Sequence, residues 1–237
     1  MFKVVWIARF PEGMANADAR RHWADVHGPL CASSSIARYV QNHVTGALPS
    51  AAGVADDVTH FDGYSSGWWP DEAAFEETMA SPEWAALVAD GENVFDMPFT
   101  DSMSAQVEEH TIIEGPRGPY KVAWVARFKK GLDPAEARDH WLHVHGPIVA
   151  DLAIDRYVQN HCVRSVGGDG NGSAPLLFGG YSECWFRDEQ AFVDALATPE
   201  WARLREDGEN VFDMSEMWGA VLHERVVKAG SLEGIAV

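Results

Sequence analysis

Cysteine is scarce in this chain: three among 237 residues, at positions 31, 162 and 184. An odd, sparse count excludes a disulfide framework and points to a reducing compartment. Basic side chains are few as well, 18 Lys and Arg against 36 Asp and Glu, for a net charge of −18. Such a surface repels phosphate backbones and anionic lipid, so neither nucleic acid nor a membrane is an expected partner. No segment approaches the ~18 uncharged apolar residues that a membrane helix needs. Cys-x-x-Cys does not occur, and His22 and His27 stand five apart, not three or four as helical metal ligands do; no metal site is expected. The one glycine-rich run, Gly167 to Gly172, precedes no helix and reads as flexible linker, which argues against a nucleotide cofactor. No cofactor is expected at all, although haem stays open, because one histidine suffices as its axial ligand.

What is present is ordinary globular composition, 46% apolar and 23% charged, so a folded core is expected. The apolar start, Met1 to Ala8, resembles a weak secretion signal. It is interrupted by Arg9, has no small-residue cleavage site, and recurs internally as Tyr120 to Phe128. An internal copy cannot be a signal, so the segment is structural and a cytoplasmic location is expected.

That copy is one of many. Arg20-Arg21-His22-Trp23 returns as Arg138-Asp139-His140-Trp141, and Val26-His27-Gly28-Pro29 as Val144-His145-Gly146-Pro147. Arg38-Tyr39-Val40-Gln41-Asn42-His43 returns intact as Arg156 to His161, and Asp90 to Met97 unchanged as Asp207 to Met214. The offset is 118 from His27 to His145 and 117 from Asp90 to Asp207. Solenoid repeats run ~20–50 residues, so this period is a duplicated domain. The expected units are 1–114 and 120–228, joined by a Gly- and Pro-rich linker at 115–119 and followed by a tail at 229–237.

Each half reads as strand, helix, strand, strand, helix, strand. The strands are expected at 2–10, 37–45, 60–69 and 103–113, and at their copies, with helical regions before Gly28-Pro29 and over 71–89. Asp133-Pro134-Ala135-Glu136 supplies an N-cap, a first-turn proline and an acidic third residue. Gly28-Pro29 and Gly146-Pro147 are expected to break or kink the first helix. The order gives an α+β, ferredoxin-like (βαββαβ) half with helices on one sheet face. The other face must be covered, and two halves can cover each other. The result is an α+β barrel within one chain, with a cavity expected between the sheets.

His22-Trp23 with His27-Gly28-Pro29, then Arg38 to His43, resembles the EthD domain, and the second half resembles it equally well. The stretch Asp90-Gly91-Glu92-Asn93-Val94-Phe95-Asp96 fits the same pattern. The resemblance implies the dimeric α+β barrel, normally built by two subunits. That superfamily spans muconolactone isomerases, polyketide cyclases, dehydratases, cofactor-free monooxygenases and haem enzymes, so fold alone does not give the reaction.

Several residue types could carry acid–base chemistry. His27 and His145 lie four residues after Trp23 and Trp141, on the same helical face, which suits either a tunable proton carrier or a backbone cap. His22 and His140, a third of a turn away, read as surface or structural. In the second strand Tyr39, Gln41 and His43 share one face, with Tyr157, Gln159 and His161 as their copies. Val40 suits the helix-covered side, which sends the polar trio toward the cavity, as a catalytic set or as a network joining the sheets. Arg9 and Arg127 could hold a carboxylate or pair with surface acids. Trp6 and Trp124, with the other tryptophans, form core or aromatic walls. Glu183 stands where the first half has Ser66, and EthD domains often carry an acid there; it could orient a histidine or act as a base. His145, Tyr157, His161 and Glu183 therefore make the second half the expected seat of chemistry. The expected function is a cofactor-independent lyase or isomerase on a small oxygenated aromatic compound. The alternatives are a cofactor-free monooxygenase or haem protein, and a non-catalytic binding protein. A homodimer of the fused chain is compatible with all three.

Overall fold

The structure, a computed structural model, describes residues 1–167 and 174–230. Most of the glycine run (168–172) and of the C-terminal tail (231–237) lies outside the described residues.

The first half opens with strand β1 (Phe2–Ala8) and helix α1 (Asn16–His22). A π-helical turn (Trp23–His27) leads without a break into α2 (Gly28–Ser33). Strands β2 (Arg38–Ala47) and β3 (Gly63–Trp69), helices α3 (Glu72–Met79), α4 (Pro82–Gly91) and α5 (Met97–Ser102), and β4 (Ser104–Ile113) complete it. The second half repeats the order, with a 3₁₀ turn (Met214–Glu216) in place of α5: β5 (Tyr120–Ala126), α6 (Pro134–His140), a π-helical turn (Trp141–His145), α7 (Gly146–Val149), β6 (Arg156–Ser165), β7 (Gly180–Phe186), α8 (Glu189–Leu196), α9 (Pro199–Val211) and β8 (Trp218–Lys228). The capping signals act as read. Asp133 Oδ1 accepts from the backbone N–H of Ala135 and Glu136, whereas Ala15 offers α1 no side-chain cap. The single helical region expected at 71–89 is two helices, because Ser81-Pro82 ends one and caps the next: Ser81 Oγ accepts from Trp84 N at 3.1 Å.

Gly28-Pro29 does not end the first helix, which is a correction. Proline lacks the N–H that would continue the ladder. The chain adapts by widening one turn, so that Gly28 N bonds Trp23 O, and Arg225 from the other half donates to the freed Ala24 carbonyl. A Cβ at 28 would lie 2.8 Å from Gln41 Nε2 and would push that amide off its place beside the turn.

The sheets run β4-β1-β3-β2 and β8-β5-β7-β6, and they join through antiparallel seams β2·β8 and β4·β6 into one closed eight-stranded barrel. One end of the interior is apolar, packed by Val5, Ile7, Val107, Val125 and Leu222. The other end is charged. Lys3 contacts Glu109 and, at 2.6 Å, Asn160; Lys121 contacts Glu183 at 2.5 Å, Glu224 at 2.6 Å and Asn42 at 2.7 Å. The void among these groups is only about 10 Å³. The space expected between the sheets is therefore filled, and open space lies outside the barrel, beneath the helices. No helix of the described residues is long and apolar enough to cross a membrane.

Each half contributes two strands to the seams, so separating the halves exposes β2 and β4 as bare edges. Residues 1–115 expressed alone are expected to pair with a second copy or aggregate. Light scattering on the eluted fragment checks this, and a folded monomer would contradict it.

Candidate active site

The wide turn decides the geometry. A turn closed by i→i+5 bonds brings residues five apart into line, and His22 and His27 consequently converge on one carboxylate of α4. His27 Nδ1 lies 2.9 Å from Asp90 Oδ2, and His22 Nε2 lies 2.8 Å from Asp90 Oδ1. The second half repeats this with His145, His140 and Asp207 at 2.8 and 3.0 Å. With Nδ1–H donated to Asp90, the lone pair of His27 sits on Nε2. Burial pulls the His27 pKa below its ordinary 6.5, against the opposing pull of Asp90, so the ring is neutral at neutral pH. In the sequence the Asp90–Met97 stretch stands out only as a repeat and as part of the EthD resemblance, and this carboxylate was missed. The signal that could have found it was the pairing of a five-residue histidine spacing with a repeated Asp.

His27 opens onto a chamber of about 550 Å³ between the first half's sheet and its helices. Trp6, Trp84, Phe95, Met79, Met97 and Leu87 supply apolar walls, and Phe95 meets the His27 ring edge-on at 5.0 Å. The polar groups are His27, Tyr39, Ser65 and Thr100, with the carboxylates of Glu76 and Asp101. Burial, with the neighbouring Cys31 thiol, pushes the Tyr39 hydroxyl well above 10, so it stays a proton donor. Burial likewise pushes Cys31 up to about 12 and leaves it inert. Thr100 Oγ1 is buried and has no hydrogen-bond partner among the described residues.

The equivalent chamber of the second half measures about 70 Å³. Met217 stands where the first half has Thr100, and Val149 where it has Cys31. The rest is filled by the first half's own loop. A short 3₁₀ turn at Ser50–Ala52, ended by Gly53 in the left-handed region (φ +82°), packs Leu48, Ala52 and Val54 into the second half's core. The open chamber is thus in the first half, opposite to the half expected from sequence.

Other candidates separate. Tyr39 and Trp6 line the open chamber; His145, Tyr157 and Trp124 line the filled one. The strand facing expected for β2 and β6 is reversed. Gln41 and Gln159 face the helices and donate to Trp23 O at 2.8 Å and Trp141 O at 3.0 Å, supporting the wide turns. Asn42 and Asn160 face into the barrel instead. His43 and His161 each lie 4.4 Å, ring to ring, from Trp23 and Trp141 and bond Gln41 and Gln159 Oε1. Burial, aided by His223, Arg20 and Arg225, lowers His43 to about 4; burial with His110 and Arg138 lowers His161 to about 3. Both line neither chamber and hold the scaffold. Glu183 belongs to the barrel interior, where it also accepts from Tyr64 Oη at 2.7 Å. Arg9 forks onto Asp96 at 2.6 and 3.1 Å, and Arg127 lies 3.7 Å from Glu216; neither lines either of these two chambers, and Arg127 borders a separate space of about 320 Å³ beside Phe128 and Arg138.

The EthD-domain profile matches residues 11–98 and again 129–215. The chain belongs to the EthD family. Both matched segments of this tandem EthD protein contain the turn histidine and its aspartate. Among solved structures, an anthrone oxidase-like protein matches with a TM-score of 0.62 at 15% identity, over 99% of this chain and 96% of that one. A candidate monooxygenase from Fusobacterium nucleatum gives 0.58 at 8% identity, covering 100% and 98%. Another from Lactobacillus acidophilus gives 0.52 at 10%, covering 97% and 96%. At these identities the likeness is one of fold, and it makes the EthD pair a single-chain dimeric α+β barrel. No protein of curated function matches the sequence.

Proposed function

We propose that the first-half chamber is the active site of a cofactor-independent enzyme that moves a proton on a small oxygenated aromatic substrate. The observation that carries this reading is the His27–Asp90 pair opening into an aromatic chamber. Nε2 of neutral His27 takes the proton from a phenolic hydroxyl or an acidic C–H, and Asp90 stabilises the imidazolium that forms. The protonated Tyr39 hydroxyl donates to the oxygen that gains charge. Returning the proton to carbon completes an isomerisation; loss of water at the same stage makes a lyase.

A second reading, cofactor-free oxygenation, is favoured by the names of the structural neighbours. It shares the proton removal and differs in needing oxygen. Haem suits the chamber poorly. His27 Nε2 is a credible ligand, yet the porphyrin's carboxylates would face Glu76 and Asp101 with no Lys or Arg among the lining residues.

The test is exchange of substrate hydrogen for deuterium across a panel of hydroxylated naphthalenes, with and without oxygen. Exchange that needs His27 and persists without oxygen supports the lyase or isomerase. Product formed only with oxygen supports the monooxygenase, and neither activity on any member removes both.

A further inference from the structure

The filled chamber carries information about the open one. Its two wall indoles, Trp124 and Trp201, lie 5.8 Å apart, ring to ring, at 44°. Each donates its Nε1–H to the inserted loop: Trp124 to Ala52 O and Trp201 to Ala51 O, both at 3.1 Å. Two consecutive carbonyl oxygens are thus gripped by two indoles. In the open chamber the corresponding pair, Trp6 and Trp84, lies 5.7 Å apart at 43°, the same arrangement within the spread of either value. There the indole N–H groups have no partner among the described residues, although both rings line about 550 Å³ of space. Both rings are half-buried, and an indole N–H in a largely apolar chamber is stabilised by an acceptor on the ligand that fills it. Thr100 Oγ1, buried and unpartnered in a residue that lines the same chamber, is a third free group among the described residues. The lining includes Glu76 and Asp101 and no Lys or Arg, so it offers an anion no counter-charge.

We propose that Trp6 and Trp84 are paired hydrogen-bond donors for the ligand of the first chamber, and that this ligand is an uncharged aromatic compound with two neighbouring carbonyl or hydroxyl oxygens. The loop carbonyls of Ala51 and Ala52 occupy, in the second half, the positions those oxygens take in the first. This deepens the proposed function and rests on it for the identity of the chamber as a substrate site.

Calorimetric titration of the full chain with three naphthalene compounds tests it. The probes are 1-hydroxy-2-acetonaphthone (neutral, two adjacent oxygens), naphthalene (the ring alone) and 1-hydroxy-2-naphthoate (the same ring with a carboxylate). The ketone is expected to bind at least about 10-fold tighter than the other two. Trp6→Phe and Trp84→Phe keep an aromatic ring and lose the N–H, and each is expected to weaken the ketone about 5- to 10-fold while leaving naphthalene unchanged. Trp124→Phe and Trp201→Phe should leave the ketone's affinity alone and lower the melting temperature, because their partner is the inserted loop. Unchanged ketone affinity in the first two variants, tighter binding of the carboxylate, or no measurable binding of the ketone overturns the proposal. His27→Ala separates the two readings. If it retains ketone binding while exchange and turnover prove independent of His27, the proposed reaction fails and the donor pair stands.

Discussion

His27→Ala is expected to lower kcat/KM on the order of 100-fold or more with the fold retained, whereas His145→Ala leaves it unchanged. Both histidines hold an aspartate at nearly equal distance, so local chemistry does not distinguish them. The space in front of them does: about 550 Å³ against about 70 Å³. Equal losses from the two variants would overturn the assignment to the first half. The pH profile adds an independent check. A base works only unprotonated, and burial lowers the His27 pKa, so the rate should fall as pH drops through an inflection below 6.5 and stay level above it. Asp90→Asn removes the group that favours the imidazolium, so the inflection should move lower while the rate declines. An inflection unmoved by Asp90→Asn takes His27 out of the profile.

The second large effect lies inside the barrel. Lys121→Met is expected to cost about 3–5 kcal/mol of stability, measured by urea unfolding, because it strands Glu183 and Glu224 without their shared ammonium. Pairing it with Glu183→Gln should recover part of the loss. The same carboxylate sets an acid limit. Burial alone would raise the Glu183 pKa; Lys121 and Lys3 outweigh it and hold the group at about 2 instead of 4.5. A depressed acid stabilises the fold above its unfolded pKa, so about 3 kcal/mol is present above pH 4.5 and is lost as pH falls toward 2. Glu183→Gln should flatten that slope. A slope that persists places the acid sensitivity elsewhere.

Sequence periodicity made the fold legible because every strand, and every helix but α5, appears twice, and a closed barrel is the natural way for two one-faced sheets to hide. The π-turn was not legible. Gly-Pro after a helix signals an end, and only the Gln41 and Arg225 contacts explain why the chain continues. Facing failed on β2 for a related reason. Alternation reveals the inner face only when one face is wet, and Tyr39 to Val44 is buried on both sides. Val40 and Asn42 point into the barrel, where Asn42 meets a lysine that no spacing rule connects to it. Glu183 was recognised as the departure from the repeat, but it points into the barrel, whereas His145 and Tyr157, with which it was grouped, line the chamber outside it. The filling of the second chamber was invisible, since an Ala-, Gly- and Ser-rich loop reads as a connector until its contacts across the halves are known.

Tying both halves into one polypeptide has a consequence for inheritance. In a barrel built from two identical subunits every substitution arrives twice, once on each side of the dyad. A lone acid beside the axis would then face its own copy, and the interior would have to neutralise two such charges. Here Tyr64 reaches Glu183 at 2.7 Å, while Tyr181, its counterpart, faces only Ser66 at 3.2 Å. A gene encoding both halves can write a carboxylate on one side and a hydroxyl on the other. It can also let one pocket be stopped by the chain itself while the other stays open, so the two halves can mutate toward different duties without either being lost.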